Sequence, residues 1–211
     1  MKLLDILNNG YNSSEWEAKG YDLPKYDIKT LRKKTFEHPT WVHFGGGNIF
    51  RAFPASILND LLNTGKYDRG VIVAETFDYE VVDKAYRPFD NLSLLVSLKA
   101  DGSVDKKVIA SVTESLKADP QFDDWNRLTQ IFRNPSLQMV SFTITEKGYS
   151  YNDADLNRGL SPVFALGKVT ALLYERFKAG RLPPHRSVYG QLLSQWQQGA
   201  GRCLCIRRAV G

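Results

Sequence analysis

Short apolar runs alternate with amphipathic segments over most of the chain between Thr40 and Gly180. The runs WVHF, GVIVAETFD and LQMVSFTIT have the length and composition of buried strands, and two more strands are predicted around the Asp-Gly turn in NLSLLVSLKADGSVDKKVIASVTESL. Helical segments are predicted at 49–65, 79–85, 121–133 and 162–178. Strands that alternate with helices at this spacing predict an α/β fold with a mostly parallel sheet covered on both faces.

The segment IFRAFPASILNDLLNTG, which follows the first of these strands, is predicted to form one helix. Pro54 falls in its first turns, where a missing N–H is tolerated, and Gly65 is the expected stop. Six apolar residues recur at helical spacing along it: Ile49, Phe53, Ile57, Leu58, Leu61 and Leu62.

The two ends of the chain differ from this central part. Residues 1–39 are polar and interrupted by glycine and proline, which predicts an arm with one or two short helices. Residues 183–211 contain no Asp, Glu or Lys, and their pattern supplies no further buried strand, although the fold calls for one after the last helix. We therefore divide the chain into an arm (1–39), an α/β domain (40–182) and a tail (183–211).

Composition indicates a globular protein with a real core, because 43% of the 211 residues are hydrophobic and 24% are charged. The sequence contains no run of about 18 apolar residues, so no membrane span is predicted. The N-terminus MKLLDILNNGYN has an acidic residue at position 5 and no long apolar stretch, which argues against a signal peptide and makes the cytoplasm the expected location.

The net charge of +5 is typical of a nucleic-acid-binding protein, but the distribution of the charged residues along the chain argues against that function. Four of the 28 Lys and Arg residues lie in the tail, and the remaining 24 exceed the 23 Asp and Glu by only one. No basic stripe interleaved with aromatic residues remains, so we expect no nucleic-acid partner. Cys203 and Cys205 also lie in the tail, where a C-x-C pair without further Cys or His is a weak metal signal, so no metal site is expected.

The stretch HFGGGNIFRAF places Gly45, Gly46 and Gly47 between a strand and a helix. Glycines permit a tight turn and let a pyrophosphate approach the first N–H groups of a helix, where the helix dipole favours anions. The match to G-x-G-x-x-G is partial, since Phe50 stands at the third glycine, and an ordinary strand–helix turn explains the glycines as well. Arg51 could pair with phosphate or form a surface salt bridge.

The second predicted strand ends in AETFD, which brings carboxylates to the edge of the sheet. A carboxylate at this position can accept both ribose hydroxyls of an adenosine, which favours NAD over NADP. Asp78 is the preferred residue and Glu75 the alternative. Asp78 could also cap the next helix, and the two roles are compatible.

The stretch SFTITEKGYSY ends another strand with Thr145, Glu146, Lys147 and Gly148. Because the carboxyl ends of strands in open α/β sheets face the ligand crevice, Glu146 could line a nicotinamide or substrate pocket. A solvated turn is the alternative.

Four stretches in this order, HFGGGNIFRA, AETFD, VIASVTESL and SFTITEKGY, resemble the N-terminal domain of the mannitol dehydrogenase family, the polyol-specific long-chain dehydrogenases, over roughly residues 40–180. The resemblance implies a Rossmann-like NAD-binding domain, truncated before a C-terminal helical substrate domain. Lys147 departs from the family pattern, which has a glycine there.

The resemblance also implies a reaction: hydride transfer between NAD(H) and a ketose sugar acid or its secondary alcohol, of the fructuronate/D-mannonate type. A mannitol or other polyol dehydrogenase fragment and a non-catalytic dinucleotide-binding module are the alternatives. The substrate of the full-length parent would be a small sugar acid or polyol, with no nucleic acid or membrane as partner. The implied cofactor-binding residues are Gly45, Gly47, Asn48, Arg51, Asp78, Thr145 and Glu146. Trp41 and His43 are expected in the core behind them.

Members of that family continue after the long helix with a strand reading like V-V-S-M-D-N-C-S-H-N-G, and a helical domain then supplies a catalytic lysine. Neither is present here, so we expect no catalytic residue in this chain and no turnover by it alone. Back-translated and shifted by one base, Val188–Trp196 can spell S-M-D-N-C-S-H-N-G. We therefore expect that the tail is read out of frame, with a genuine basic extension as the alternative.

Overall fold

The computed structural model describes residues 2–8, 12–144 and 164–180, together with the backbone of 185–188. Within these residues the strands, numbered in chain order, are β1 (Tyr21–Asp22), β2 (Trp41–Phe44), β3 (Val71–Glu75), β4 (Ser93–Leu98), β5 (Val104–Ile109), β6 (Val112–Lys117), β7 (Met139–Phe142) and β8 (His185–Val188). The α-helices are α1 (Ser13–Ala18), α2 (Ile28–Glu37), α3 (Asn48–Ala52), α4 (Pro54–Asn63), α5 (Asp124–Arg133) and α6 (Ala165–Lys178). Short 3-10 turns form at Leu3–Leu7 and Arg87–Phe89, and a π-helical turn at Val82–Tyr86.

The main sheet has five strands in the order β6-β3-β2-β7-β8, and every pair in it is parallel. The α/β fold with a mostly parallel sheet is therefore confirmed. The chain moves outward from β2 through β3 to β6 and then crosses to β7 on the other side of β2. Ligands of open α/β sheets bind at this kind of reversal, outside the carboxyl ends of the strands.

Both faces of the main sheet are covered. Alternate residues of β2 point to opposite faces, so that Phe44 packs with α5 and α6 while Trp41 packs with α3 and α4. The first core includes Phe132 and Leu172, and the second includes Phe50 and Leu62. The side chains at both cores are almost all aliphatic or aromatic, which is what a doubly covered parallel sheet requires.

A second, three-stranded sheet joins the N-terminal segment to the rest of the chain. β4 and β5 form the antiparallel hairpin predicted around the Asp-Gly turn, and β1 pairs with β5 in parallel. Ile6, Trp16 and Leu23 of the arm share a third core with Val108 of β5. The same stretch of sequence also contains a third strand, β6, which belongs to the main sheet and which the two-strand prediction missed.

The predicted helix over residues 49–65 is broken into α3 and α4 at Phe53, directly before Pro54. Leu58 and Leu62 are buried, but four of the six apolar residues that shaped the prediction are exposed: Ile49, Phe53, Ile57 and Leu61. The chain thus carries one apolar helix face toward the sheet and a second one toward solvent. Spacing alone could not separate the two faces.

The expectation that the tail supplies no further strand was wrong. The backbone of His185–Val188 forms β8, which continues the parallel sheet beyond β7. Main-chain hydrogen bonds make such a ladder, and they do not depend on the apolar pattern from which strands are predicted.

Candidate functional site

Gly45 directly follows β2 and begins the turn that we call the β2 corner (Gly45–Gly47). Its N–H donates to the carbonyl of Ala74 in β3, at 2.9 Å, so the turn starts by crossing to the neighbouring strand. Its φ is +106°, and a Cβ on this residue would lie 2.5 Å from the carbonyl oxygen of Thr143. Only glycine fits both the backbone conformation and the space.

Gly46 is held from two sides. Its N–H donates to Glu75 Oε2 at 2.7 Å, and its carbonyl accepts from the Tyr86 hydroxyl at 2.8 Å. Tyr86 is buried, and burial raises the pKa of its phenol well above its ordinary value, which keeps the hydroxyl a donor. The middle of the β2 corner is therefore fixed by side chains from β3 and from the π-helical turn.

Gly47, in contrast, faces open space. It is the N-cap of α3, and among the described residues no side chain caps this helix and no atom lies within 4 Å of where its Cβ would be. Arg51 lies beside it, where its guanidinium donates to Asn48 Oδ1 and sits 5.8 Å from the centroid of the Tyr86 ring. Among the described residues Arg51 forms no ion pair, and its Nε has no hydrogen-bond partner. The surface salt bridge considered as an alternative is not formed there.

The β3 corner (Thr76–Tyr79) distinguishes the two carboxylates predicted for ribose. Glu75 is buried and accepts three backbone N–H groups: Gly46 on one oxygen, and Thr76 and Phe77 on the other. It shapes the turns and has little capacity left for a ligand. Asp78 is exposed, and its side chain makes no hydrogen bond or ion pair within the described part of the chain. It therefore does not cap the following helix.

Behind the β2 corner, Trp41 and His43 are buried as expected. The Trp41 Nε1–H donates to Ser141 Oγ at 2.7 Å, and the His43 ring bridges Ser141 at 2.6 Å and Thr143 at 2.8 Å. Because the Thr143 hydroxyl donates to the Gly45 carbonyl, it accepts from His43 Nε2–H, which leaves Nδ1 to accept from Ser141. Burial lowers the pKa of His43 to about 3, so the whole chain of hydrogen bonds is uncharged.

Behind the β3 corner lies a charged group of side chains. Lys168 of α6 is only 1% exposed, and its Nζ lies 2.7 Å from Asp119 Oδ2, 2.6 Å from the Tyr79 hydroxyl and 3.0 Å from the Thr76 carbonyl. Burial alone would raise the pKa of Asp119, but hydrogen bonds from Lys168, the Gln121 N–H and Tyr79 together hold it below its ordinary value. The carboxylate is therefore ionised and pairs with the lysine.

The structure thus brings five of the seven predicted residues to one edge of the sheet: Gly45 and Gly47 in the β2 corner, Asn48 and Arg51 directly after it in α3, and Asp78 in the neighbouring β3 corner. The other two predicted residues, Thr145 and Glu146, lie outside the described residues, as does Lys147. Sequence reasoning missed Tyr86, Thr143 and Lys168. For Lys168 a signal existed, since it occupies a core-facing position of α6 among Ala165, Val169 and Leu172.

A parallel sheet whose order reverses at a glycine turn, with an exposed carboxylate at the end of the adjacent strand, defines the dinucleotide-binding class of α/β domains. No protein-family model matches the chain. Individual curated proteins do match. The chain is 55% identical over 179 residues to D-mannonate oxidoreductase of Thermotoga maritima, and the match covers 80% of this chain and 33% of that protein. It is 31% identical over 175 residues to mannitol 2-dehydrogenase of Cereibacter sphaeroides, covering 76% of this chain and 34% of that one.

Among solved structures, mannitol 2-dehydrogenase of Pseudomonas fluorescens, in a ternary complex with NAD and D-mannitol, matches with a TM-score of 0.76 at 22% identity. The match covers 94% of this chain and 42% of that one, which shows a shared fold. The resemblance to the mannitol dehydrogenase family is thus confirmed. The chain spans about one third of the length of the curated relatives that it matches. Among the described residues, no helix is long and apolar enough to cross a membrane.

Proposed function

We propose that the chain is the NAD-binding part of an oxidoreductase that interconverts a ketose sugar acid and its secondary alcohol, of the fructuronate/D-mannonate type. The observation that carries the proposal is the 55% identity to a D-mannonate oxidoreductase over 179 residues, which cover 80% of this chain. The nicotinamide cofactor would accept or supply the hydride, while the protein binds and orients both reactants.

The residues present fit the cofactor. The open side of Gly47 leaves room for a pyrophosphate at the N-terminal end of α3, and the Arg51 guanidinium lies beside it. The free carboxylate of Asp78 would accept the adenosine ribose hydroxyls, and its charge would repel the 2′-phosphate of NADP. Thr145 and Glu146 are proposed to line the nicotinamide side of the pocket, on sequence grounds alone.

A polyol substrate is the second candidate, since mannitol 2-dehydrogenases are also among the relatives and the structural neighbours. The higher identity to the D-mannonate enzyme favours the sugar acid. A non-catalytic dinucleotide-binding module is the third candidate and predicts cofactor binding without any larger parent enzyme.

We also propose the division into an arm (1–39), a cofactor domain (40–182) and an out-of-frame tail (183–211), so that the chain binds NAD but does not turn over substrate. Sequencing the gene from the codon for Gly180 to well beyond that for Gly211 tests this. We expect the shifted frame to continue into the strand motif S-M-D-N-C-S-H-N-G and a helical domain with a lysine, and repair of the frame to restore D-mannonate oxidation. A downstream sequence that encodes no such domain in any frame would favour the dinucleotide-binding module.

The cofactor proposal is tested by titrating the full 211-residue chain with NADH and with NADPH and following nicotinamide fluorescence. We expect Asp78→Ala to weaken NADH binding about tenfold, because the ribose loses its charged acceptor. NADPH binding should weaken less or improve, because the repulsion of the 2′-phosphate is removed as well.

Glu80→Gln provides the matched control. This carboxylate is two residues away, exposed, and paired with Lys84 on its own helical turn. Its removal changes the net charge equally but should leave both affinities within about twofold, as surface ion pairs contribute little. A wild-type chain that binds neither nucleotide refutes the proposed function.

A further inference from the structure

Lys168 is a buried cation that the cofactor and substrate roles proposed above do not use. A buried ammonium is costly unless it is paired and all of its N–H groups are bonded. Here the three N–H donors meet three acceptors: the Asp119 carboxylate, the Tyr79 hydroxyl and the Thr76 carbonyl. The Tyr79 hydroxyl in turn donates to Asp119 at 2.8 Å. Each member of the group is therefore satisfied by the others.

Two of these acceptors, Thr76 and Tyr79, lie on either side of Asp78 in the sequence, and Asp78 is the residue proposed to bind ribose. Thr76 and Tyr79 are the first and last residues of the β3 corner, and Lys168 binds both, so Phe77 and Asp78 lie between two anchored points. On the other side, Glu75 accepts the N–H groups of Thr76 and Phe77. The backbone of Thr76 is thus held at its nitrogen by Glu75 and at its oxygen by Lys168.

Two side chains of this braced corner, Phe77 and Asp78, are exposed to solvent. Asp78 is exposed with no side-chain partner among the described residues, and Phe77 is 90% exposed, the largest value among the exposed large hydrophobic residues. An aromatic ring and a carboxylate held outward by a rigid turn match an adenosine, whose base offers a planar face and whose ribose offers two hydroxyls.

We propose that Lys168 is a positioning residue that braces the β3 corner, through Thr76 and Tyr79, so that Asp78 and Phe77 are preorganised for the adenosine half of the dinucleotide. This inference rests on the proposed NAD-binding function and deepens it. Lys168 touches no ligand itself. Its effect reaches the cofactor only through Asp78 and Phe77, and this distinguishes positioning from a general contribution to stability.

The test is a double-mutant cycle on NADH affinity with the full chain, using Lys168→Met and Asp78→Ala singly and together. We expect Lys168→Met to weaken NADH binding about tenfold in the wild-type background, since a misplaced binding group loses most of its contribution. In the Asp78→Ala background the same change should matter less than about threefold, because Phe77 is then the only one of the two positioned groups that remains.

Arg176→Met is the matched control. Arg176 is a second buried basic residue on the same face of α6, but it donates to the carbonyls of Phe132, Asn134 and Leu137, before the amino end of β7. Both lysine and arginine variants should lower the denaturant midpoint, whereas only Lys168→Met should change the NADH affinity of the folded protein. Equal effects on NADH affinity would indicate a structural role and overturn the proposal.

Tyr79→Phe keeps the test decisive if Lys168→Met does not fold. It removes one hydroxyl from the bracing group, leaves the lysine–carboxylate pair intact, and should weaken NADH binding about threefold. If folded variants bind NADH within the error of the wild type, or if their effects add fully to that of Asp78→Ala, the inference is wrong while the proposed function stands. A wild-type chain that binds no NADH overturns both.

Discussion

The β2 corner and the β3 corner lie side by side at the edge of the main sheet, yet different forces hold them. The β2 corner is fixed by close backbone packing at Gly45, by hydrogen bonds of Glu75 and Tyr86 to Gly46, and by an uncharged series of hydrogen bonds through His43 and Thr143. The β3 corner shares Glu75, which also accepts the N–H groups of Thr76 and Phe77, and is held in addition by the buried Lys168–Asp119 ion pair on its other side.

The difference follows from what each corner would present to a dinucleotide. The β2 corner would offer an anion the N–H groups that follow Gly46, whose own N–H is bonded to Glu75, and the steric fit at Gly45 fixes the turn without an ion pair. The β3 corner would offer a carboxylate to neutral hydroxyls, and a buried cation behind the turn does not compete with them.

The largest expected effect tests the steric control of the β2 corner. Gly45→Ala places a Cβ 2.5 Å from the Thr143 oxygen at a φ of +106°, and it should lower the free energy of unfolding by about 3 kcal/mol or more. Denaturant unfolding measures the loss.

Gly47→Ala is the control within the same turn. Its φ is −71° and its Cβ position is open, so its unfolding free energy should stay within about 1 kcal/mol of the wild type. Similar losses in the two variants would contradict the steric account and attribute the sensitivity to glycine content alone.

A smaller effect should appear in the pH dependence of stability. His43 has a folded-state pKa of about 3 against about 6.5 in the unfolded chain, so the unfolded state binds the extra proton as the pH falls between these values. Stability from this group is complete above pH 7, and about 2 kcal/mol of it should be lost between pH 7 and pH 5.

The β3 corner should not titrate through Asp119 in that interval. The pKa of this carboxyl is below its ordinary value, so the stability it contributes is present above about pH 4 and is lost only at lower pH. His43→Gln should therefore remove most of the slope between pH 7 and pH 5 in denaturant unfolding. A variant with the same slope as the wild type would show that His43 is not the titrating group.

The sequence predicted the β2 corner better than the β3 corner, for a physical reason. The sequence WVHF followed by three glycines is a local signal for a strand and a turn, and the structure has both at the predicted positions. The bracing of the β3 corner joins residues that are far apart along the chain: Lys168 and Thr76 are 92 positions apart. The periodicity of a short segment does not encode such a contact, although Lys168 is unusual as a lysine at a core-facing position of a helix.

The misplaced helix face and the missed strands have a related cause. Ile49, Phe53 and Ile57 have the spacing of a core-facing stripe but are exposed, because α3 and α4 turn Phe50 and Leu58 toward the sheet instead. Periodicity identifies an apolar face but not what covers it. In β8 the reverse holds, since the backbone pairs with β7 where the side-chain pattern predicts no strand.

The order of strands in the main sheet also bears on how the chain is made. β2 lies at the centre, with β3 on one side and β7 on the other, and the hydrogen-bonded Trp41 and Ser141 are 100 residues apart. At a translation rate of about 5–20 residues per second, β2 leaves the ribosome about 5–20 s before β7 does. During that interval the N–H and C=O groups along one edge of the central strand have no partner strand, so we expect the nascent chain to depend on chaperones until β7 has been synthesised.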